Sequence, residues 1–194
     1  MTPTEFQQLK DSFRGVHFDA ELETQFYGLW EEKTYEKKQW ITEAGRTESY
    51  FFYVLEGVQA VYFINNKGEK VVIGFSYQGD FSGAYESFLM QAPSVLFVEA
   101  LQASRMLAIS YTNYQKLFDL SVDFNKWARL FLEGILIGRG KREVELINLT
   151  AKERYIDFMR RCPDVLRDIP QKYLASYLNM KPETFSRLRS SVRY

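Results

Sequence analysis

The sequence predicts an α+β chain in which a sandwich or barrel of short strands is flanked by helices, then followed by one long helix and a small all-α unit. Three observations predict it. Apolar residues recur at spacings of three and four up to about Trp30. Aromatic and β-branched runs punctuated by turn residues fill Glu32 to Ser110. Helical spacing returns from Tyr111 onward.

The first segment, Thr4 to Trp30, reads as short helices on Phe6, Leu9 and Phe13, then Leu22, Phe26, Leu29 and Trp30, and the lone His17 falls in this helix-like stretch. The strands follow. Tyr50 to Leu55 and Val58 to Ile64 are rich in residues that fit a pleated surface, with Glu56-Gly57 between them. Asn65-Asn66-Lys67-Gly68 is a hairpin turn, because Asn and Gly tolerate positive φ, and Val71 to Phe75 is the return strand. Gly45, Gly79 and Gly83 mark further turns, and Val95 to Val98 and Arg105 to Ile109 complete the series. Short strands with regular turn signals indicate a sandwich or barrel.

Asp123 to Asn148 is a long helix candidate with an apolar stripe of Phe124, Trp127, Phe131 and Ile135, continued by Val144 and Ile147. A long helix after a β-domain has two faces to bury, so the stripe serves both its own sandwich and a partner helix, with Trp127, Phe131, Gly134, Ile135 and Gly138 as partner contacts. Gly134, Gly138 and Gly140 each cost about 1 kcal/mol relative to Ala in a helix and either kink it or admit a close partner. Thr150-Ala151-Lys152-Glu153 is a capping box that starts a new helix at Ala151 and sets a boundary near Leu149. Pro163 ends that helix. The expected units are 1–120, 121–149 and 150–194.

Composition narrows the chemistry. An apolar content of 46% supports a core, and no apolar run reaches the roughly 18–20 residues that span a bilayer. The N-terminus lacks a secretory pattern, so a soluble cytoplasmic protein with no membrane partner is expected. One histidine and one cysteine, Cys162, exclude an intramolecular disulfide, an imidazole-rich metal site and a thiolate cluster. Cys162 reads as a small helix-end residue beside Pro163. No nucleophile–base pair and no phosphate-cradling glycine loop is recognisable, and the expectation is a non-enzyme without a metal. The net charge of zero hides an asymmetry: residues 1–149 hold 15 Lys or Arg and 20 Asp or Glu, whereas residues 150–194 hold 10 and 5. A basic C-terminal unit on an acidic body suits a polyanion.

The segment from Ile169 to Arg189 carries the most information. Pro170 and Pro182 suit the first turns of two helices, with Asn179-Met180 as the turn between them. Leu174, Ala175 and Leu178 form the inner face of the first, and Phe185 and Leu188 that of the second. Lys181, Glu183, Thr184, Arg187 and the flanking Arg189 and Arg193 are left on the outside. Glu183 and Arg187, four apart, share a face. Arg reads guanine and Glu accepts from cytosine in the major groove, while Lys, Thr and further Arg residues hold phosphates. The same pattern also fits a helical pair with a surface ion pair.

These residues resemble a known family. Gly68, then Gly79-Asp80-Phe81, then Gly83 on a strand-rich background looks like the cyclic-nucleotide-binding domain of Crp/Fnr transcription regulators. Pro182-Glu183-Thr184-Phe185-Ser186-Arg187 resembles that family's recognition helix, x-E-T-[VL]-[SG]-R. The likeness covers nearly the whole chain and is closest to a short, wing-less subgroup with Pro-Gln-Lys-Tyr-[LI]-Ala-Ser-Tyr-Leu. It implies a β jelly-roll sensor with flanking helices, a long dimerisation helix and a small helix-turn-helix. The implied partners are double-stranded DNA with a palindromic operator, a second copy of the chain, and RNA polymerase as a further candidate. It also implies base contacts by Glu183 and Arg187. Pro182 occupies a position that often contacts a base and cannot do so by hydrogen bonding. The chain stops at Tyr194, where the family's β-wing would follow. At the pocket the departure is larger. Nucleotide-binding members have a glutamate after the glycine that matches Gly83, and an Arg-Ser pair about eleven residues beyond. Here Gly83 is followed by Ala84 and Tyr85, and the pair is Ser94 and Val95. A phosphate buried without a cation is costly, and Glu86 nearby cannot replace one. No cofactor and no tight cyclic AMP binding are expected, and any other effector is unspecified. The alternative is a ligand-binding signalling module that no longer reads DNA.

Overall fold

The computed structural model describes residues 1–162 and 168–191. Pro163 and Arg193, two residues of the sequence reading, lie outside the described residues.

Eight antiparallel strands form two four-stranded sheets. They are β1 (Trp30–Tyr35), β2 (Trp40–Thr42), β3 (Tyr50–Glu56), β4 (Val58–Ile64), β5 (Lys70–Tyr77), β6 (Phe81–Ser82), β7 (Phe97–Ala100) and β8 (Ser104–Ser110). Sheet A has the order β1-β8-β3-β6 and sheet B the order β2-β7-β4-β5. Before them come α1 (Pro3–Ser12) and α2 (Ala20–Tyr27). His17 sits between these two helices in extended chain, not in a helix, and its amide donates to the Asp123 carboxylate at 3.2 Å. Trp30 opens β1 instead of closing a helix.

The strand sequences explain the layering. Tyr50 to Leu55 is apolar at every position because both faces of β3 are covered. Phe51, Tyr53 and Leu55 face α1, α2 and the later helices α4 (Tyr111–Leu120) and α5 (Val122–Asn148), whereas Phe52 and Val54 face the sandwich interior with Met106 and Ala108. Phe13, Phe26 and Phe124 converge on that outer face with ring centroids 5.1–5.7 Å apart. Burying each such ring stabilises by roughly 1.5–3 kcal/mol relative to exposure. In β4 the same alternation sends Val61 and Phe63 inward and Val58, Ala60 and Tyr62 outward.

The outward face of sheet B is covered by the C-terminal helices α6 (Ala151–Arg161), α7 (Gln171–Tyr177) and α8 (Pro182–Ser191). Tyr155, Phe158, Leu174, Ala175, Leu178 and Phe185 join Tyr62 and Val72 in one buried cluster. α6 starts at the expected capping box: the Thr150 hydroxyl accepts from the Glu153 amide at 3.3 Å, and Glu153 accepts from the Thr150 amide at 2.8 Å. Cys162 caps the other end of α6 and is half-buried against the same cluster.

Two features depart from the strand series. Tyr85–Met90 forms a short helix, α3, inside the β-rich region, and β7 begins at Phe97, two residues later than its apolar run.

Candidate functional site

The C-terminal helices are held at their junction by one cation. Arg154 of α6 donates to the Leu178 carbonyl at 2.8 Å and to the Asn179 carbonyl at 3.2 Å, which satisfies the exposed carbonyls at the end of α7. Asn179 adopts φ +50°, the left-handed conformation the tight turn needs. Pro182 then opens α8. Phe185 is buried and Leu188 half-buried, which turns Glu183, Ser186, Arg187 and Ser190 together onto an exposed face beside Gln171. Lys181 and Arg189 are exposed at either end, and Thr184 is half-buried at the edge. Glu183 lies in the first turn and Arg189 in the last, both favourable for the helix dipole.

α7 is bonded to sheet B. The Tyr173 hydroxyl donates to Glu99 Oε1 at 2.9 Å, and Lys70 Nζ lies 2.5 Å from Glu99 Oε2. The Ser176 hydroxyl donates to the Lys70 carbonyl at 2.8 Å and accepts from the Val72 amide at 3.0 Å. Burial pushes the Glu99 carboxyl up, but hydrogen bonds from Lys70, Tyr173 and Tyr62 outweigh it and leave it below the usual carboxylate range.

A half-open cleft of about 590 Å³ lies between the inner face of sheet B and α5. Gly83 and Tyr85 line it, as expected; Ala84, Ser94 and Val95 do not. Ala84 is fully buried beneath α3. The Ser94 hydroxyl is buried in its own loop, accepting from the Leu96 amide at 2.9 Å, and Val95 is 72% exposed. Between Gly83 and Ser94 the chain forms α3, for which the sequence reading named no element. Burial of the Tyr85 phenol raises its pKa strongly.

Glu48 is a residue that sequence reading missed. Its carboxylate is buried and accepts from the Thr42 hydroxyl, from the Tyr50 amide at 3.3 Å and from the Ala84 amide at 3.4 Å. Burial raises its pKa against the pull of those donors. A Cβ on Gly83 would sit 3.7 Å from the same carboxylate, so the Ala84 amide that follows this glycine is already taken by Glu48. An acidic residue just before the apolar run from Tyr50 to Leu55 was the available signal. Between Val71 and Ser104 the chain has no Lys or Arg. The cations lining the cleft are Arg139 and Arg142 of α5. Arg142 is engaged elsewhere: it donates to the Tyr177 carbonyl and stacks over the Tyr177 ring at 3.7 Å.

The partner-helix candidates separate. Trp127 is 5% exposed and stacks on Phe13 at 4.2 Å, and Phe131 packs on Phe51, Phe81 and Tyr85. Ile135 lines the cleft. Trp127 and Phe131 thus pack on their own sandwich and Ile135 on the cleft, the first of the two uses expected of this stripe. Gly134 and Gly138 have open space around them, in a helix that runs 27 residues without interruption. The large apolar side chains that α5 leaves exposed are Val122, Leu130, Leu132, Leu136, Ile137, Val144 and Ile147.

Residues 32–121 match the family model of the cyclic nucleotide-binding domain. Comparison with curated proteins finds no match. Solved structures with the same fold include FixK2 from Bradyrhizobium japonicum, 19% identical with a TM-score of 0.73, covering 83% of each chain. The c-di-GMP-responsive global regulator CLP of Xanthomonas campestris is 16% identical, TM-score 0.66, over 89% of this chain and 90% of its own. A CooA mutant from Carboxydothermus hydrogenoformans is 15% identical, TM-score 0.69, over 92% and 86%. The matched residues supply the sheet side of the cleft, α5 beyond them supplies the other wall, and the likeness in fold extends through the C-terminal helices. No helix among the described residues is long and apolar enough to cross a membrane. No group of three or more His, Cys, Asp or Glu able to hold a metal occurs among them.

Proposed function

We propose that the protein is a homodimeric, sequence-specific DNA-binding transcription regulator of the Crp/Fnr type whose cyclic-nucleotide pocket is degenerate. The observation that carries this reading is the exposed face of α8, where Glu183 and Arg187 stand side by side on a helix anchored from behind by Phe185. Arg187 and Glu183 read base edges, and Lys181, Thr184 and Arg189 hold phosphates. Two copies joined through α5 present two such helices to successive major grooves, about 34 Å apart on a palindromic operator. The regulators among the structural neighbours support the same reading.

The degenerate pocket rests on charge. Glu48 takes the Ala84 amide that follows Gly83, and Ser94 and Val95 supply no cation. A cyclic phosphate would enter next to a buried carboxylate without a free arginine from the sandwich.

The test is capture of genomic DNA fragments by the purified protein at near-physiological salt, with and without cyclic AMP, followed by sequencing. Enrichment of a palindrome in both conditions is expected. Enrichment only with cyclic AMP would overturn the reading of the pocket. No enrichment under either condition, with the cleft still binding a ligand, would favour a signalling module that no longer reads DNA.

A further inference from the structure

The cleft between sheet B and α5 has the size and lining of a small-molecule site. Val61, Leu96, Ile135 and Leu146 make most of its wall apolar. Its volume of about 590 Å³ lies within the range of small-molecule sites. Its charged groups balance: Glu86 and Glu143 against Arg139 and Arg142. One polar atom in the wall is unanswered. Glu86 Oε2 is buried without a hydrogen-bond partner, and the nearest cation, Arg139 Nη2, stands 4.0 Å away, beyond hydrogen-bond reach.

We propose that this cleft binds an uncharged, mostly apolar small molecule carrying one hydroxyl or carboxamide, which donates to Glu86 Oε2 and accepts from Arg139. The inference deepens the regulator reading by naming the effector class of its sensor. A group that both donates and accepts fits between a carboxylate and a guanidinium at that spacing. A net anion would face Glu86 and Glu143, and a net cation would face Arg139 and Arg142, each within walls that offer little water for screening. The cleft also reaches the C-terminal helices. Arg142 and Phe75 line it and both hold Tyr177 of α7, Arg142 over the ring and Phe75 with a ring centroid 5.3 Å away. A molecule seated against them shifts the anchor of the DNA-reading pair.

Gly74 provides the blocking variant. It pairs directly with Val61 across the sheet, so the two share a face, and a Cβ built on it meets nothing within 4 Å. Its φ is ordinary, so Gly74→Trp fills the cleft without backbone strain. Nile red serves as the fluorescent probe, displaced by a ten-carbon series of decanamide, decanol, decanoate and decylamine, and by cyclic AMP. The parent protein is expected to bind Nile red. Decanamide and decanol should displace it at concentrations at least about tenfold lower than decanoate or decylamine, with cyclic AMP inactive. Gly74→Trp should lose the dye, and Glu86→Leu should keep the dye but lose the preference for the uncharged head groups. Preferential displacement by cyclic AMP or by a charged member, or dye binding that survives in Gly74→Trp, would overturn the proposal. The same preparations are assayed for DNA capture. Dye selectivity without DNA enrichment would remove the regulator reading alone, and enrichment without dye selectivity would remove this proposal alone.

Discussion

The Tyr173 hydroxyl on α7 donates to the Glu99 carboxylate on β7 at 2.9 Å, across 74 residues of sequence. This bond, with Lys70 on the other carboxylate oxygen, ties the C-terminal helices to the sandwich. A hydrogen bond to a charged group contributes about 1.5–3 kcal/mol. Tyr173→Phe should therefore lower the stability of the chain by that amount in urea denaturation, with the α-helical signal retained at zero urea. An unchanged midpoint would show that apolar packing alone holds α7 in place.

The pH dependence follows from the same carboxylate. Glu99 is held below its ordinary value near 4.5, so its contribution is present above that value and is lost as pH falls through the depressed folded value. Urea midpoints measured from pH 7 downward should fall as pH drops below about 4.5. Glu99→Gln should be less stable at pH 7 and flatter across that acid window. Parallel curves for parent and variant would exclude Glu99 as the group responsible.

Gly57 joins β3 to β4 at φ +95°, and a Cβ there would lie 2.3 Å from Ser104 Oγ and 2.7 Å from the Ala103 carbonyl. Strain at positive φ and overpacking each cost about 1–3 kcal/mol. Gly57→Ala should destabilise by at least about 2 kcal/mol, measured by thermal and urea unfolding. A Gly68→Ala control, with positive φ but open space around the new Cβ, should cost less.

On α8, Arg187→Ala should weaken specific DNA binding by about 1–3 kcal/mol and relax the choice at one base pair of each half-site. Arg189→Ala should weaken all sequences alike and reduce the slope of log K against log salt by about 1. Fluorescence anisotropy at several salt concentrations separates the two. Equal behaviour of the two variants would undo the division between base and phosphate contacts.

Leu130, Ile137 and Val144 recur every seven residues along α5 and are all exposed, as a helix-pairing seam requires. If the proposed dimer pairs through α5, Ile137→Glu should leave only monomer in sedimentation without lowering helix content, and should weaken operator binding far more than any single phosphate contact.

Local signals in the sequence were legible where a single residue type controls the backbone. Asn65 to Gly68 closes the β4–β5 hairpin, with Gly68 at φ +77°. Thr150 and Glu153 form the expected capping box, and Pro182 begins α8. Of the five residues assigned to the pocket, Gly83 and Tyr85 line the cleft, whereas Ala84, Ser94 and Val95 do not. Helix α3 follows Ala84 directly. That six-residue helix has no side-chain cap on Ala84, and its apolar residues sit among strands, so neither cap nor period announced it.

What the sequence by itself determined is therefore the succession of short helices, strands, long helix and C-terminal helices, with the two outward residues of α8, because turn, cap and period are properties of neighbours along the chain. The tertiary structure decided which neighbour each apolar face meets. Trp127, Phe131 and Ile135 share a stripe with no mark of partner, and their own sandwich takes them because Phe51, Phe81 and Tyr85 present aromatic surface there. Glu48 at the Ala84 amide, Glu99 under Tyr173 and Glu86 facing Arg139 are likewise invisible in one dimension. A buried carboxylate is defined by the donors that folding brings to it, and those come from segments far apart in the sequence.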